Sequence, residues 1–153
     1  MLLIIRNDTV GNKVNNQSKC CEISGEKSDI DVLIENILSS LGELRIGISS
    51  DEFQIQSMVE QALLEHQISF EKEYRLAPRN RIDFFIDGGI GLEVKRGKPN
   101  KTQVTKQLQR YATSEEIKAI VLVVDRTVAI PNEINGKKCI LFGLNRLWGV
   151  SLS

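Results

Sequence analysis

Arg81 to Lys95 reads Arg-Ile-Asp-Phe-Phe-Ile-Asp-Gly-Gly-Ile-Gly-Leu-Glu-Val-Lys, two β-branched and aromatic runs separated by adjacent glycines. Such a pattern folds as a hairpin, and its register decides which side chains share a face. A three-residue turn, Asp87-Gly88-Gly89, sets Ile86 opposite Ile90, Phe84 opposite Leu92 and Asp83 opposite Glu93. One face is then wholly apolar, with Ile82, Phe84, Ile86, Ile90, Leu92 and Val94. The other carries Asp83, Glu93 and Lys95, beside Phe85, Asp87 and Gly91. A two-residue Gly-Gly turn would slip the pairing by one and mix Glu93 and Lys95 with the Ile82 and Phe84 face. A slip of one residue moves every side chain to the other face, so the clean separation selects the longer turn.

This register makes two carboxylates neighbours, with β-carbons about 4.5–5.5 Å apart, an arrangement that is destabilising for like charges. A hard divalent cation such as Mg²⁺ resolves the conflict, because it favours carboxylate oxygens. Lys95 lies two residues beyond Glu93 and so points to the same face. From there it can hold a nucleophilic water or stabilise charge developing on a phosphate. Asp, Glu and Lys around a metal suit in-line hydrolysis of a phosphodiester.

Asp83, nine intervening residues, then Glu93-Val94-Lys95 resembles the core motif of the PD-(D/E)XK nuclease superfamily, with Ile82 where that motif has proline. Gln107-Leu-Gln-Arg-Tyr111 is similar to the QxxxY motif of the superfamily's RecB-like branch. The resemblance spans residues 49–142. It implies an α/β fold with a restriction-endonuclease-like core, ordered α-β-β-β-α-β, in which a mixed sheet is flanked by helices. It also implies a metal-dependent deoxyribonuclease. Asp83 and Glu93 would bind Mg²⁺ or Mn²⁺, with the Val94 carbonyl as a further ligand, and Lys95 would position or activate water. Gln107 and Tyr111 would orient substrate or Lys95. A glutamate on the helix before the sheet would complete the site: Glu52 by chain order, with Glu60 as the alternative. Glu52 also completes a capping-box pattern, Ser49-x-x-Glu52, that would merely satisfy the helix N-terminus.

The 153 residues allow one domain. Residues 1–48 read as an N-terminal extension and 49–153 as the nuclease-like domain. Net charge is zero, but residues 71–110 carry ten Lys or Arg against five Asp or Glu. That basic stripe fits a phosphate backbone, as does the loop Arg96-Gly-Lys98-Pro-Asn-Lys101, and DNA is the expected partner. Cys20, Cys21 and Cys139 have no metal-ligand spacing and are expected as reduced thiols. Some RecB-like relatives hold an iron–sulfur cluster on four cysteines, and the three here argue against one. Met1 to Ile5 is too short for a signal h-region or a membrane span, so a soluble, cytoplasmic protein is expected.

Along the chain, Leu2 to Arg6 suggests a short strand and Asn7 to Ser28 a polar loop. Ser28-Asp-Ile-Asp31 opens a helix whose stripe, Ile30, Leu33, Ile34, Ile37, Leu38 and Leu41, ends at Gly42. That stripe either docks on the same domain or makes a homodimer through residues 29–41; junction resolvases of the superfamily it resembles are small dimers, and this helix would provide such a contact. Ser49 to His66 is the next helix, buried through Ile55, Val59, Ala62, Leu63 and His66, with the lone histidine expected in the core. Ile68 to Leu76 is expected as the first strand, Thr102 to Ala112 as a helix and Ile117 to Val124 as a strand buried on both faces. A turn over Glu133 to Lys138, around Asn135-Gly136, and a last short strand, Cys139 to Phe142, follow, and Trp148 is expected as a packing residue.

Overall fold

In the computed structural model, residues 26–47 and 49–144 are described; Leu2–Arg6, most of the polar loop with Cys20 and Cys21, and Trp148 lie outside them. Three helices, α1 (Asp29–Leu41), α2 (Glu52–Glu65) and α3 (Lys101–Ala112), surround a mixed sheet of six strands. The strands are β1 (Phe70–Ala77), β2 (Asn80–Ile86), β3 (Ile90–Lys95), β4 (Ala119–Val124), β5 (Glu133–Ile134) and β6 (Lys137–Gly143). From one edge to the other they run β1-β2-β3-β4-β6-β5. β3, β4 and β6 are mutually parallel, and the outer pairs are antiparallel. The stretch from α2 to β4 thus has the order α-β-β-β-α-β.

The hairpin takes the register set by the longer turn, with Ile86 opposite Ile90 and Phe84 opposite Leu92. Gly88 and Gly89 adopt φ of 108° and 98°, which a side chain would strain. The Gly89 carbonyl accepts from Lys118 and Ala119, tying the turn to the start of β4. All six residues of β4 are buried, because helices cover both faces of the sheet.

α1 begins at Ser28, whose hydroxyl accepts from the Asp31 N–H. Its stripe docks on the chain's own sheet, in one core with Ile55, Val59 and Leu63 of α2 and with Phe84, Leu92 and Val94. Val104, Leu108 and Tyr111 of α3 build a second core on the opposite face, with Ile120, Leu122 and Val124.

Several expectations are corrected. Asp51, not Ser49, caps α2, and the reciprocal bonds of the capping box join Asp51 to Gln54, which releases Glu52 from capping. His66 is the half-buried C-cap of α2, its Nε2 2.9 Å from Glu43 Oε2, rather than a core residue. Glu133 and Ile134 pair with β6 as a short strand, closed by a turn with positive φ at Asn135 and Gly136.

Ile82 belongs to the α3 core, while Phe84 belongs to the core under α1 and α2. The same change of face occurs on β1, where Phe70 packs with the first core and Tyr74 and Leu76 with the second. Strict alternation would keep each set on one side. The switch falls at Glu73, with φ of 52°, and at Asp83, which is next to it in the register. The freed Ile82 side chain fills the space over Gly91, where a β-carbon would lie 2.4 Å from its Cδ1.

Gly89→Ala should lower stability by about 1–3 kcal/mol in urea titrations, through the positive φ and the Glu116 carbonyl 2.9 Å from an added β-carbon. Gly143→Ala, where an added β-carbon meets nothing within 4 Å, should change stability far less.

Candidate functional site

The β2–β3 ladder ends at the pair Phe84–Leu92, one step before Asp83 and Glu93. The backbone groups left there are met by side chains instead. Asp83 Oδ2 accepts the Val94 N–H at 2.8 Å, and Glu93 Oε2 accepts the Asp83 N–H at 3.3 Å. Each carboxylate therefore closes the gap beside the other's strand.

Glu93 is 3% exposed, and a buried charge needs compensation. Lys95 Nζ lies 2.8 Å from Oε1, and Gln107 Nε2 donates to the same oxygen at 2.9 Å. The Tyr111 hydroxyl lies 2.9 Å from Oε2 and 3.0 Å from the Arg81 carbonyl, and it accepts from Gln107 at 2.7 Å. Its one proton serves one of those two oxygens at a time. Gln107 and Tyr111 reach Glu93 together because they are one turn apart on α3 and share a face. A carboxylate offers about four acceptor positions, and the donors from Lys95, Gln107, Tyr111 and the Asp83 backbone match that number.

Asp83 is held differently. Burial, then the Glu93 charge, push its pKa up to about 7, against the opposing pull of the Val94 N–H and Lys95. Burial acts to lower the Lys95 pKa, but the attraction and hydrogen bond of Glu93 outweigh it, and the net shift is upward. Burial and the same carboxylate push Tyr111 well above the ordinary phenol range, so its hydroxyl keeps its proton.

Glu52, exposed at the start of α2, accepts the Arg96 N–H at 3.2 Å through Oε2, and its charge acts on both Asp83 and Lys95. Glu60 faces elsewhere, paired with Lys72 at 2.7 Å. Of the two candidate glutamates, Glu52 is the one beside the cluster. Arg96, Lys98 and Lys101 follow β3 directly, with Lys98 and Lys101 exposed. The structure thus brings Asp83, Glu93, Lys95, Gln107, Tyr111 and Glu52 to one end of the sheet. Glu73 pairs with Arg81 at 2.8 Å.

Among the described residues, no three His, Cys, Asp or Glu side chains form a ready metal-ligand group. The donors present are nevertheless hard carboxylate oxygens of the type Mg²⁺ and Mn²⁺ take. Cys139 is a free, buried thiol whose pKa burial raises. No helix among the described residues is long and apolar enough to cross a membrane.

Comparison with family models, with curated proteins and with solved structures finds no match to this chain. The α/β class, with three helices on a six-stranded mixed sheet, is therefore read from the structure itself.

The Asp83 shift has a sign. Between about pH 4, where an unfolded aspartate titrates, and about pH 7, the folded chain binds the extra proton, so stability falls as pH rises through that window. Asp83→Asn removes this cost. In EDTA it should melt above wild type at pH 8, and the gap should narrow as pH is lowered toward 4. A gap that does not depend on pH would contradict the assignment.

Proposed function

We propose that this chain is a metal-dependent nuclease that hydrolyses phosphodiester bonds in DNA. The observation that carries the reading is the convergence on one buried carboxylate, Glu93, of Asp83, Lys95, Gln107 and Tyr111. An aspartate, a glutamate and a lysine in this relation are what the resemblance to the PD-(D/E)XK superfamily requires. A purely structural role would be filled more cheaply by apolar residues, since a buried ionic cluster contributes little stability of its own.

In this reading Asp83 and Glu93, with the Val94 carbonyl and Glu52, hold Mg²⁺ or Mn²⁺. The bound cation would supply Lewis-acid stabilisation of charge on the phosphate. Lys95 orients the attacking water and offers a positive charge to the developing oxyanion. Gln107 and Tyr111 keep Glu93 aimed and keep Lys95 within 2.8 Å of it. Arg96, Lys98 and Lys101, on the loop after β3, meet the DNA backbone. A cation on Glu93 would take the place of one of the protein donors, Lys95 or Gln107 on Oε1 or the Asp83 N–H or Tyr111 on Oε2.

A second reading, a module that binds DNA or a protein without cleaving, draws on the saturation of Glu93 by protein donors. A dimeric junction-resolving enzyme is left with only the outer face of α1, because Ile34, Ile37 and Leu41 are buried in the chain's own core.

Cleavage of circular single strands, linear duplex, supercoiled plasmid and four-way junctions should require Mg²⁺ or Mn²⁺ and stop in EDTA. Lys95→Ala should lower the rate by about 10²–10⁴-fold, the range for a positioned proton-transfer group, and Asp83→Ala should abolish it. Equal DNA binding by all three proteins, with cleavage by none, would establish the binding module instead.

A further inference from the structure

The basic stripe of the sequence divides in space. Part of it follows β3 as the Arg96–Lys101 loop. Four arginines of the remainder gather beside Gln107 and Tyr111, in an open cleft of about 690 Å³ between the β1–β2 turn and α3. Arg75, Arg79, Arg81 and Arg110 line it together with one carboxylate, Glu73, and Asn80, and Gln107 and Tyr111 form the wall shared with Glu93.

Three features separate this cleft from a solvated surface. Arg75 and Arg81 are directly opposite each other in the β1–β2 register, where like charges repel. Glu73 neutralises Arg81, but Arg75, Arg79 and Arg110 have no acidic partner among the described residues. The cleft is also braced: buried Asn80 donates to the Arg110 carbonyl at 3.1 Å, and Tyr111 reaches the Arg81 carbonyl, so hairpin and helix are joined across its floor. Arg79 sits at φ of 62° in the turn, a conformation the chain adopts at some cost and which sets where that guanidinium starts.

We propose that this arginine cleft is a second phosphate site, which holds the backbone of the nucleic-acid strand next to the phosphate presented to Asp83, Glu93 and Lys95. The proposal rests on the nuclease reading for what lies beside the cleft. Guanidinium forks match phosphate oxygens bidentately, and several on rigid elements fix a strand's register without reading its sequence. Gln107 and Tyr111 link the two sites: one side of that pair orders Glu93, and the other lines the cleft. A strand seated among the arginines is thereby aligned with the carboxylates.

The test is binding of a fluorescent oligonucleotide in EDTA, where no cleavage intervenes, to wild type and to Arg79→Ala/Arg110→Ala. The control is Lys118→Ala/Lys138→Ala, which removes equal charge at the opposite end of β4 and β6. All four positions replaced are exposed, and circular dichroism verifies folding. The arginine variant should bind about tenfold or more weakly at low salt, and the slope of log K against log salt should fall by about 2, near one per lost phosphate contact. The lysine control should match wild type. Arginine-variant binding with wild-type affinity and slope would overturn the proposal even if the wild type cleaves DNA. Weakened binding without metal-dependent cleavage by any protein would sustain the cleft and remove the nuclease. Inorganic phosphate should compete with the oligonucleotide; a wild type that takes phosphate but no oligonucleotide would overturn the strand assignment.

Discussion

A carboxylate almost sealed inside a sheet is the constraint around which this chain is arranged. Glu93 is flanked by Leu92 and Val94, which carry the core under α1 and α2, so its own side chain must enter the opposite face, toward α3. Desolvation there would neutralise or expel it unless donors compensate. The chain supplies them from three elements: the ammonium of Lys95 on β3, the Asp83 N–H on β2, and the amide and phenol of α3. The close approach of α3 to the sheet, through Val104 and Leu108, brings the last two within reach.

The second constraint is geometric. β2 and β3 part just before Asp83 and Glu93, and β1 and β2 change faces at Glu73 and Asp83. Without that change Ile82 would join Phe84 under α2, and Ile117 alone would cover Gly91. With it, the outer half of the hairpin turns its apolar residues to α3 and carries its arginines around to the same end of the molecule. The backbone irregularity at Glu73 thus serves the core and the site together.

Much of this was legible in the sequence. The three-residue turn followed from the apolar separation of Phe84, Ile86, Ile90 and Leu92, and the observed register repeats it. The α1 stripe and the burial of the 119–124 strand were equally plain, because periodicity reports burial directly. The Gln107–Tyr111 spacing placed both residues on one helix face. What escaped depended on competition between local signals. Ser49-x-x-Glu52 carried the capping pattern, yet the fold caps α2 with Asp51 and Gln54 instead. Ile82 obeyed alternation on paper, yet a positive φ across the ladder, at a glutamate that gives no hint of it, moved it to the other core. The arginine cleft was invisible for the same reason: its members span residues 75–110, and their meeting depends on that turn of the hairpin. The basic stripe over residues 71–110 was the signal available, and the pairing of Arg75 with Arg81 came only with the structure.

Charge balance joins the core to the chemistry. Lys95 offsets the charge of Glu93, and Asp83 titrates near neutrality because burial and that same glutamate resist a second negative charge. At lower pH the cluster therefore sits close to electrical balance, with a proton on Asp83. As the pH rises past about 7 a net negative charge appears at a place where solvent reaches poorly. Relief comes from a further positive charge, and hard-oxygen donors favour a cation over a second ammonium. The same balance explains why Glu52 stands outside the buried cluster, on the Arg96 N–H: a third carboxylate inside it would raise the cost of ionising Asp83 further. Electrostatic strain between the two carboxylates, rather than a preformed cage of ligands, is thus what the proposed cation would relieve.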